Sequence, residues 1–163
     1  MAVQRTIAVI GALVLGGCVV AERGGAPTPP KKISLRFCWA TADEKEGYQT
    51  VKDEGGQPLH VAAEPFLTEA DIEAASAWHG AQRTMILLEF KPLAKLRLAE
   101  ASATHVGDRL AVFVDDRLVM SPVVRRPITA GKVYLNGGFS TAQSDDIVRR
   151  LSAVRATTQA SNP

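Results

Sequence analysis

Gly107 to Leu151, GDRLAVFVDDRLVMSPVVRRPITAGKVYLNGGFSTAQSDDIVRRL, is the stretch whose reading decides the fold. Leu110 to Val114 is an unbroken apolar run of strand length, Asp115-Asp116 supplies a turn, and Arg117 to Met120 begins a return strand. Pro122 has no N–H to give to a ladder, so the chain through Val123 and Val124 is expected to be bent or at an edge. Thr129-Ala130-Gly131 makes the next turn, Val133 to Asn136 a third strand, and Gly137-Gly138 ends it. Ser140 with Gln143 three residues on forms a capping box, after which Ile147, Val148, Leu151 and Val154 recur at helical spacing. The order is strand, strand, strand, helix.

Upstream, Ile33 to Trp39 alternates as a first strand, and Gln49 to Lys52 with Leu59 to Ala62 flank the turn-rich Asp53 to Pro58 as a hairpin. Thr68 and Asp71 predict a capped helix through Ala77, with His79 in the loop behind it, and Thr84 to Phe90 reads as a buried strand. Pro92 opens a helix that places Leu96, Ala99, Ala103 and Val106 on one face, and Gly107 stops it. The sum is an α+β domain, an antiparallel sheet with helices packed on one face. Its expected span is 33–154, followed by a small, polar tail over 155–163 that should fray. No internal repeat or heptad array is present.

Arg5 precedes the apolar stretch Ile7 to Leu15, and Leu15-Gly16-Gly17-Cys18 puts small residues directly before a cysteine. The pattern resembles a bacterial lipoprotein signal, in which residues 1–17 are removed and the Cys18 thiol takes a diacylglycerol; an ordinary secretory signal and a short membrane anchor are the other readings. Val19 rather than Asp follows the cysteine, which implies a lipid anchor facing the periplasm from the outer membrane rather than the inner. Residues 18–32 contain Gly24-Gly25, Pro27, Pro29 and Pro30, a composition that buries little and reads as a flexible tether.

Removal of 17 of the 163 residues would leave 146, enough for one domain with one core, and would lower the formal net charge from +2 to +1 because Arg5 alone is lost. That balance gives no reason to expect nucleic acid as a partner, and Lys31-Lys32 and Arg125-Arg126 read as solvated positions. His60 is expected on a strand, His79 in a loop and His105 at a helix end, where imidazolium complements the dipole. Without ligands at short spacing there is no metal site to assign, and nothing indicates a cofactor. Cys38 between Phe37 and Trp39 reads as a small buried hydrophobe, with a reactive thiol as the alternative. Asp115-Asp116 is explained by turn chemistry and Asp145-Asp146 by a helix N-terminus. Ser121 lacks a nucleophile elbow, and Gly137-Gly138 lacks the Lys and Ser/Thr of a phosphate loop. No catalytic residues emerge.

Several segments carry a family resemblance in consistent order. Arg109-Leu110-Ala111-Val112 with Val114-Asp115, Ser121-Pro122-Val123-Val124, Ile128 to Gly131, Gly137-Gly138-Phe139-Ser140, and upstream Glu64-Pro65-Phe66-Leu67-Thr68-Glu69-Ala70-Asp71-Ile72 are the matching elements. They resemble the head subdomain of the first periplasmic domain of SecD, the accessory subunit of the bacterial protein translocase, over Gln57 to Leu151. Asp116 stands where the family's turn has glycine, a tolerable change because Asp visits positive φ. Too few residues precede Gln57 for the family's smaller base subdomain, and no run of about 18 apolar residues follows the N-terminal segment to couple the domain to a proton gradient.

The resemblance implies a binding module that contacts exported or unfolded polypeptides or translocase subunits, held to the membrane through its lipid. Its physical means would be an exposed sheet edge for strand addition and the aromatic anchors Trp78 and Phe139, both of which could equally be core. An adaptor for one envelope protein is a variant of that reading. A small hydrolase using His79 or His105 with a carboxylate brought close by the fold is the alternative, decided by whether a histidine, a carboxylate and a serine share one pocket.

Overall fold

The structure, a computed structural model, describes residues 31–160; Cys18 and nearly all of the expected tether lie outside them. The chain forms β1 (Leu35–Thr41), β2 (Tyr48–Lys52), β3 (Pro58–Ala62), β4 (Leu67–Thr68), a 3-10 turn over Glu69–Asp71, β5 (Ile72–His79) and β6 (Thr84–Phe90). It continues with α1 (Pro92–Thr104), β7 (Arg109–Val114), β8 (Arg117–Met120), β9 (Lys132–Leu135) and α2 (Thr141–Ala160). The α+β reading holds. The strands divide between two antiparallel sheets: one runs β2-β3-β1-β7-β8 with β4 also on β1, the other β5-β6-β9. Among the described residues, no helix is long and apolar enough to cross a membrane.

One continuous core joins the two sheets and both helices. Strand alternation sends Leu35, Phe37 and Trp39 of β1 and Leu110, Val112 and Val114 of β7 to the same side, where they meet Ile86, Leu88 and Phe90 of β6. The opposite face of the larger sheet gathers a smaller cluster, Cys38, Ala40, Leu59, Val61, Ala111 and Phe113. Arg36 covers part of it, its guanidinium 4.9 Å from the Phe113 ring centroid. Cys38 is fully buried, as expected, and burial pushes its thiol pKa up against the weaker opposing effect of Arg36.

Two expectations need correcting. The helix from Thr68 through Ala77 is absent: Asp71 accepts from the Thr68 N–H at 2.9 Å, but the cap serves a single 3-10 turn before β5 begins. Ala75 lies opposite Leu88 and Ala77 opposite Ile86, so small residues sit where β6 brings large ones, and pairing overrides alanine's helical preference. His79 is accordingly the last residue of a strand and not part of a loop. In α1 the buried residues are Ala94, Leu98 and Ser102, while Leu96 is 61 % exposed and Val106 also faces solvent. The small Ala94 and Ser102 let the helix approach closely. Ser102 Oγ accepts from the Ile128 N–H at 2.8 Å and donates to the Ala99 carbonyl, pinning the long connection between β8 and β9.

α2 runs antiparallel along β5. His79 Nε2 lies 2.9 Å from Asp145 Oδ1 near one end, and Arg155 pairs with Glu73 at 3.4 Å toward the other. The helix packs along β5 and β6 and continues to Ala160, into the stretch expected to fray.

Candidate functional site

The β7–β8 turn and the start of α2 enclose a groove of about 440 Å³. Asp115 and Asp116 both take positive φ, 48° and 64°, the conformation a tight turn between twisted strands requires. The turn folds β8 back so that Val119 and Val114 face Phe139 and Ile147 across the groove, with Arg117 and Asp115 among the polar groups that line it. Gly137 makes this possible. A Cβ there would lie 2.9 Å from Phe139 Cζ and 3.0 Å from Val119 Cβ, so only glycine lets the ring settle over β8 without displacement. The capping box then starts α2, with the Ser140 N–H donating to Gln143 Oε1 at 2.9 Å and the Gln143 N–H to Ser140 Oγ at 3.3 Å. β8 is the last strand of its sheet among the described residues, and its Arg117 and Val119 line the groove.

Arg150 fixes the far wall. Its guanidinium is largely buried and donates to both Asp115 oxygens at 2.7 and 2.8 Å, and to the carbonyls of Lys31 and Lys32 at 2.8 and 2.9 Å. One side chain thus holds the hairpin turn, α2 and the incoming chain together. The hydrogen bonds from Arg150, aided by the Ser34 N–H, hold the Asp115 carboxyl below its usual range against partial desolvation, and Asp115 raises the pKa of Arg150 in return.

The residues singled out in the sequence are spread over separate surfaces. Phe139 stands in the groove, partly buried against the core. Trp78 points from β5 toward solvent, 57 % exposed, with its ring over Gly80. His60 sits on β3 with Nδ1 3.2 Å from Thr50 Oγ1. His105 ends α1, its Nδ1 donating to the Ala101 carbonyl at 2.8 Å and its ring stacked on Trp39 at 4.1 Å, with Phe66 stacked on Trp39 at 4.6 Å. Of the expected loci, His79 and Asp145 alone form a histidine–carboxylate pair. Ser144 beside them is buried and spends its hydroxyl on the Thr141 carbonyl at 2.7 Å, which gives the pair no nucleophile. Ser121 is buried under Arg109, which donates to its carbonyl and hydroxyl. Among the described residues, no group of three or more His, Cys, Asp or Glu side chains is placed to hold a metal ion.

Sequence reasoning missed Arg150, since an arginine within a polar helix gives no sign that it will be buried. It also missed Tyr134, although the alternation in Lys132-Val133-Tyr134-Leu135 carries the signal for one buried and one exposed face.

The model of the SecDF P1 head subdomain matches residues 45–154. The chain belongs to that family. The curated relatives are subunits of the protein translocase, which ties the family to protein export. The chain is 31 % identical to the protein translocase subunit SecDF of Thermus thermophilus over 84 residues, 51 % of this chain and 11 % of that protein. It is 29 % identical to the translocase subunit SecD of Acetobacter pasteurianus over 102 residues, 61 % of this chain and 19 % of that one. It therefore spans less than a fifth of the length of those curated relatives. A solved structure of SecDF, a membrane component that enhances protein export, superposes with a TM-score of 0.61 at 22 % identity, covering 76 % of this chain and 64 % of the other. SecDF in its super-membrane-facing form gives 0.59 at 23 %, covering 74 % and 18 %. These two superpositions carry the fold.

Proposed function

We propose that this SecDF P1 head-family domain is a lipid-anchored, periplasm-facing binding module that receives an extended segment of an exported polypeptide in the groove between β8 and α2. The groove beside an unpaired strand edge is the observation that supports it. Its volume, about 440 Å³, suits one or two apolar side chains, with Val114, Val119, Phe139 and Ile147 as walls. The edge of β8 offers main-chain hydrogen bonds independent of sequence, which is what a module handling many clients requires. Translocase subunits are the expected neighbours, because the family is built around protein export. Acylation at Cys18, with residues 18–32 as tether, would keep the groove close to the membrane, the outer one being favoured by Val19.

The test is a photoreactive amino acid at Gln143, on the groove, and separately at Leu96, on the exposed side of α1, in living cells. Crosslinks from Gln143 to many unrelated exported chains, with none from Leu96, are expected. Equal background from both positions would refute the groove, and a single dominant envelope protein would make the domain a dedicated adaptor. Anchoring is tested apart from this by mass spectrometry of the mature protein: a chain without a diacylglycerol on Cys18 would remove the lipid from the proposal.

A further inference from the structure

Among the described residues, no layer packs over the outer face of the β5-β6-β9 sheet. Alternation directs Ala75, Ala77, Ile86, Leu88, Val133 and Leu135 inward, so Trp78 pairs with Met85, and Ser76, Leu87 and Tyr134 form the neighbouring row, on the other side. Trp78 and Tyr134 are each 57 % exposed. The result is an exposed apolar surface whose two large exposed members are the side chains that favour a membrane interface, each with an apolar ring and a polar tip.

Its charges suit the same surroundings. Glu89, the carboxylate on this face, is held by Lys132 at 2.9 Å, and Glu73 turns toward Arg155 on α2. His79 and Asp145 also meet on the α2 side, while Arg83 stands in the turn next to Trp78. Nothing unpaired and negative on these strands would be repelled by anionic headgroups.

Area argues against a stable protein partner. With side chains of about 150–250 Å² each, little more than half exposed for the two aromatics and less for Met85 and Leu87, the patch amounts to about 300–400 Å². A specific protein interface takes about 800 Å² from each side. So small a patch is occupied only where its partner is held at high local concentration. Cys18 lies 13 residues before Lys31, which limits the extended chain to about 45 Å. A domain of this size has a radius of gyration of about 14 Å, so every face can reach the bilayer that carries the anchor.

We infer that the outer face of the β5-β6-β9 sheet docks on the lipid surface, with Trp78 and Tyr134 at headgroup depth, which leaves the β8–α2 groove free for polypeptide. The inference rests on the lipid anchor proposed above. Docking sets the orientation of the domain, whereas the tether sets only its distance.

The experiment uses the full mature protein in vesicles of phosphatidylethanolamine and phosphatidylglycerol, with and without brominated acyl chains. Subtracting the emission of a Trp78→Phe protein removes the buried Trp39. Bromine is expected to lower Trp78 emission at least about twofold, and Leu87→Asp or, more conservatively for folding, Tyr134→Glu should abolish that loss. Undiminished Trp78 emission in a protein whose mass confirms acylation would overturn docking and leave the anchor standing. If the mass shows no acyl group, a vesicle titration of the Cys18→Ser protein reads docking alone: bromine quenching supports it, and its absence at millimolar lipid refutes it. A shift of Trp78 emission that follows protein concentration without lipid, or appears only with an added unfolded polypeptide, assigns the face to a second copy or to a client and likewise refutes the inference.

Discussion

Replacing Arg150 with alanine should cost far more than replacing its neighbour Arg149, and the difference follows from what each guanidinium holds. Arg150 is 7 % exposed and makes four hydrogen bonds under 3 Å, two to Asp115 and two to the carbonyls of Lys31 and Lys32. Hydrogen bonds to charged groups contribute about 1.5–3 kcal/mol each, without adding fully, and removing one partner of a buried pair costs about 3–5 kcal/mol. The Asp115 side chain is 39 % exposed and regains water once the arginine is gone, which lowers the expected loss to about 2–4 kcal/mol. Arg149 pairs with Asp146 at the surface, and Arg149→Ala should change stability by no more than about 0.5 kcal/mol. Urea denaturation with a constant m-value measures both. The pH profile adds a second reading. Because Arg150 depresses the Asp115 pKa below its ordinary value of 3.8, the folded state gains stability above that pH and loses it as pH falls through the folded-state value. Arg150→Ala removes this contribution, so its stability should fall less steeply than that of the wild type below about pH 4. A loss under about 1 kcal/mol, or acid profiles of identical slope, would refute the view that Arg150 binds hairpin, helix and incoming chain into one unit.

Three further outcomes are expected. Leu98→Ala should destabilise by about 2–5 kcal/mol while Leu96→Ala stays within about 0.5, and thermal or urea denaturation giving the reverse would overturn the assignment of the α1 core face. Gly137→Ala should cost about 1–3 kcal/mol and displace Phe139 from Val119, visible as altered ring shifts in an NMR spectrum; an unchanged spectrum would show that the close approach is not needed. Cys38 should resist a thiol reagent in the native protein and react at the rate of unfolding, followed by mass spectrometry, since it is buried and its thiol pKa is raised; rapid labelling of the folded chain would contradict both.

How much of this was legible depended on whether the deciding information was local. The β7–β8 hairpin, its Asp115-Asp116 turn, the Ser140 capping box and the burial of Cys38 could be read because strand, turn and cap chemistry act within a few residues. Ile72 to His79 could not. Asp71 does bond back to Thr68 as a capping residue would, and Glu73-Ala74-Ala75-Ser76-Ala77 has the composition of a helix, so each local sign pointed the same way. What decides for a strand is the fit of Ala75 and Ala77 against Leu88 and Ile86, and alanine is too small for its alternation to register as hydrophobic period. In α1 the leucines at 93, 96 and 98 point around the whole helix, and the true core face runs through Ala94, Leu98 and Ser102, two of which are small because the neighbouring backbone is close. Packing space, invisible in one sequence, made that choice.

The same limit explains why the aromatic Phe139 could be singled out while the groove around it could not. Consecutive strands usually pair as neighbours, which would set β9 beside β8 in a meander. In the structure Ser121 to Gly131 instead carries the chain over α1, where Ser102 holds Ile128, and β9 pairs with β6 in the other sheet. A meander would have closed the edge of β8 with β9 and spent its outward backbone groups on a ladder. The crossover leaves β8 as the last strand of its sheet and starts α2 beside that edge, so that Gly137, Phe139 and Ile147 face Val114 and Val119 across open space. It also makes β9 the far edge of a three-stranded sheet and turns Tyr134 onto the uncovered face with Trp78. The groove proposed for polypeptide and the face inferred to meet lipid are therefore consequences of one topological choice. A variant that loosens the crossover, such as Ser102→Ala, should disturb both surfaces together even though it touches neither.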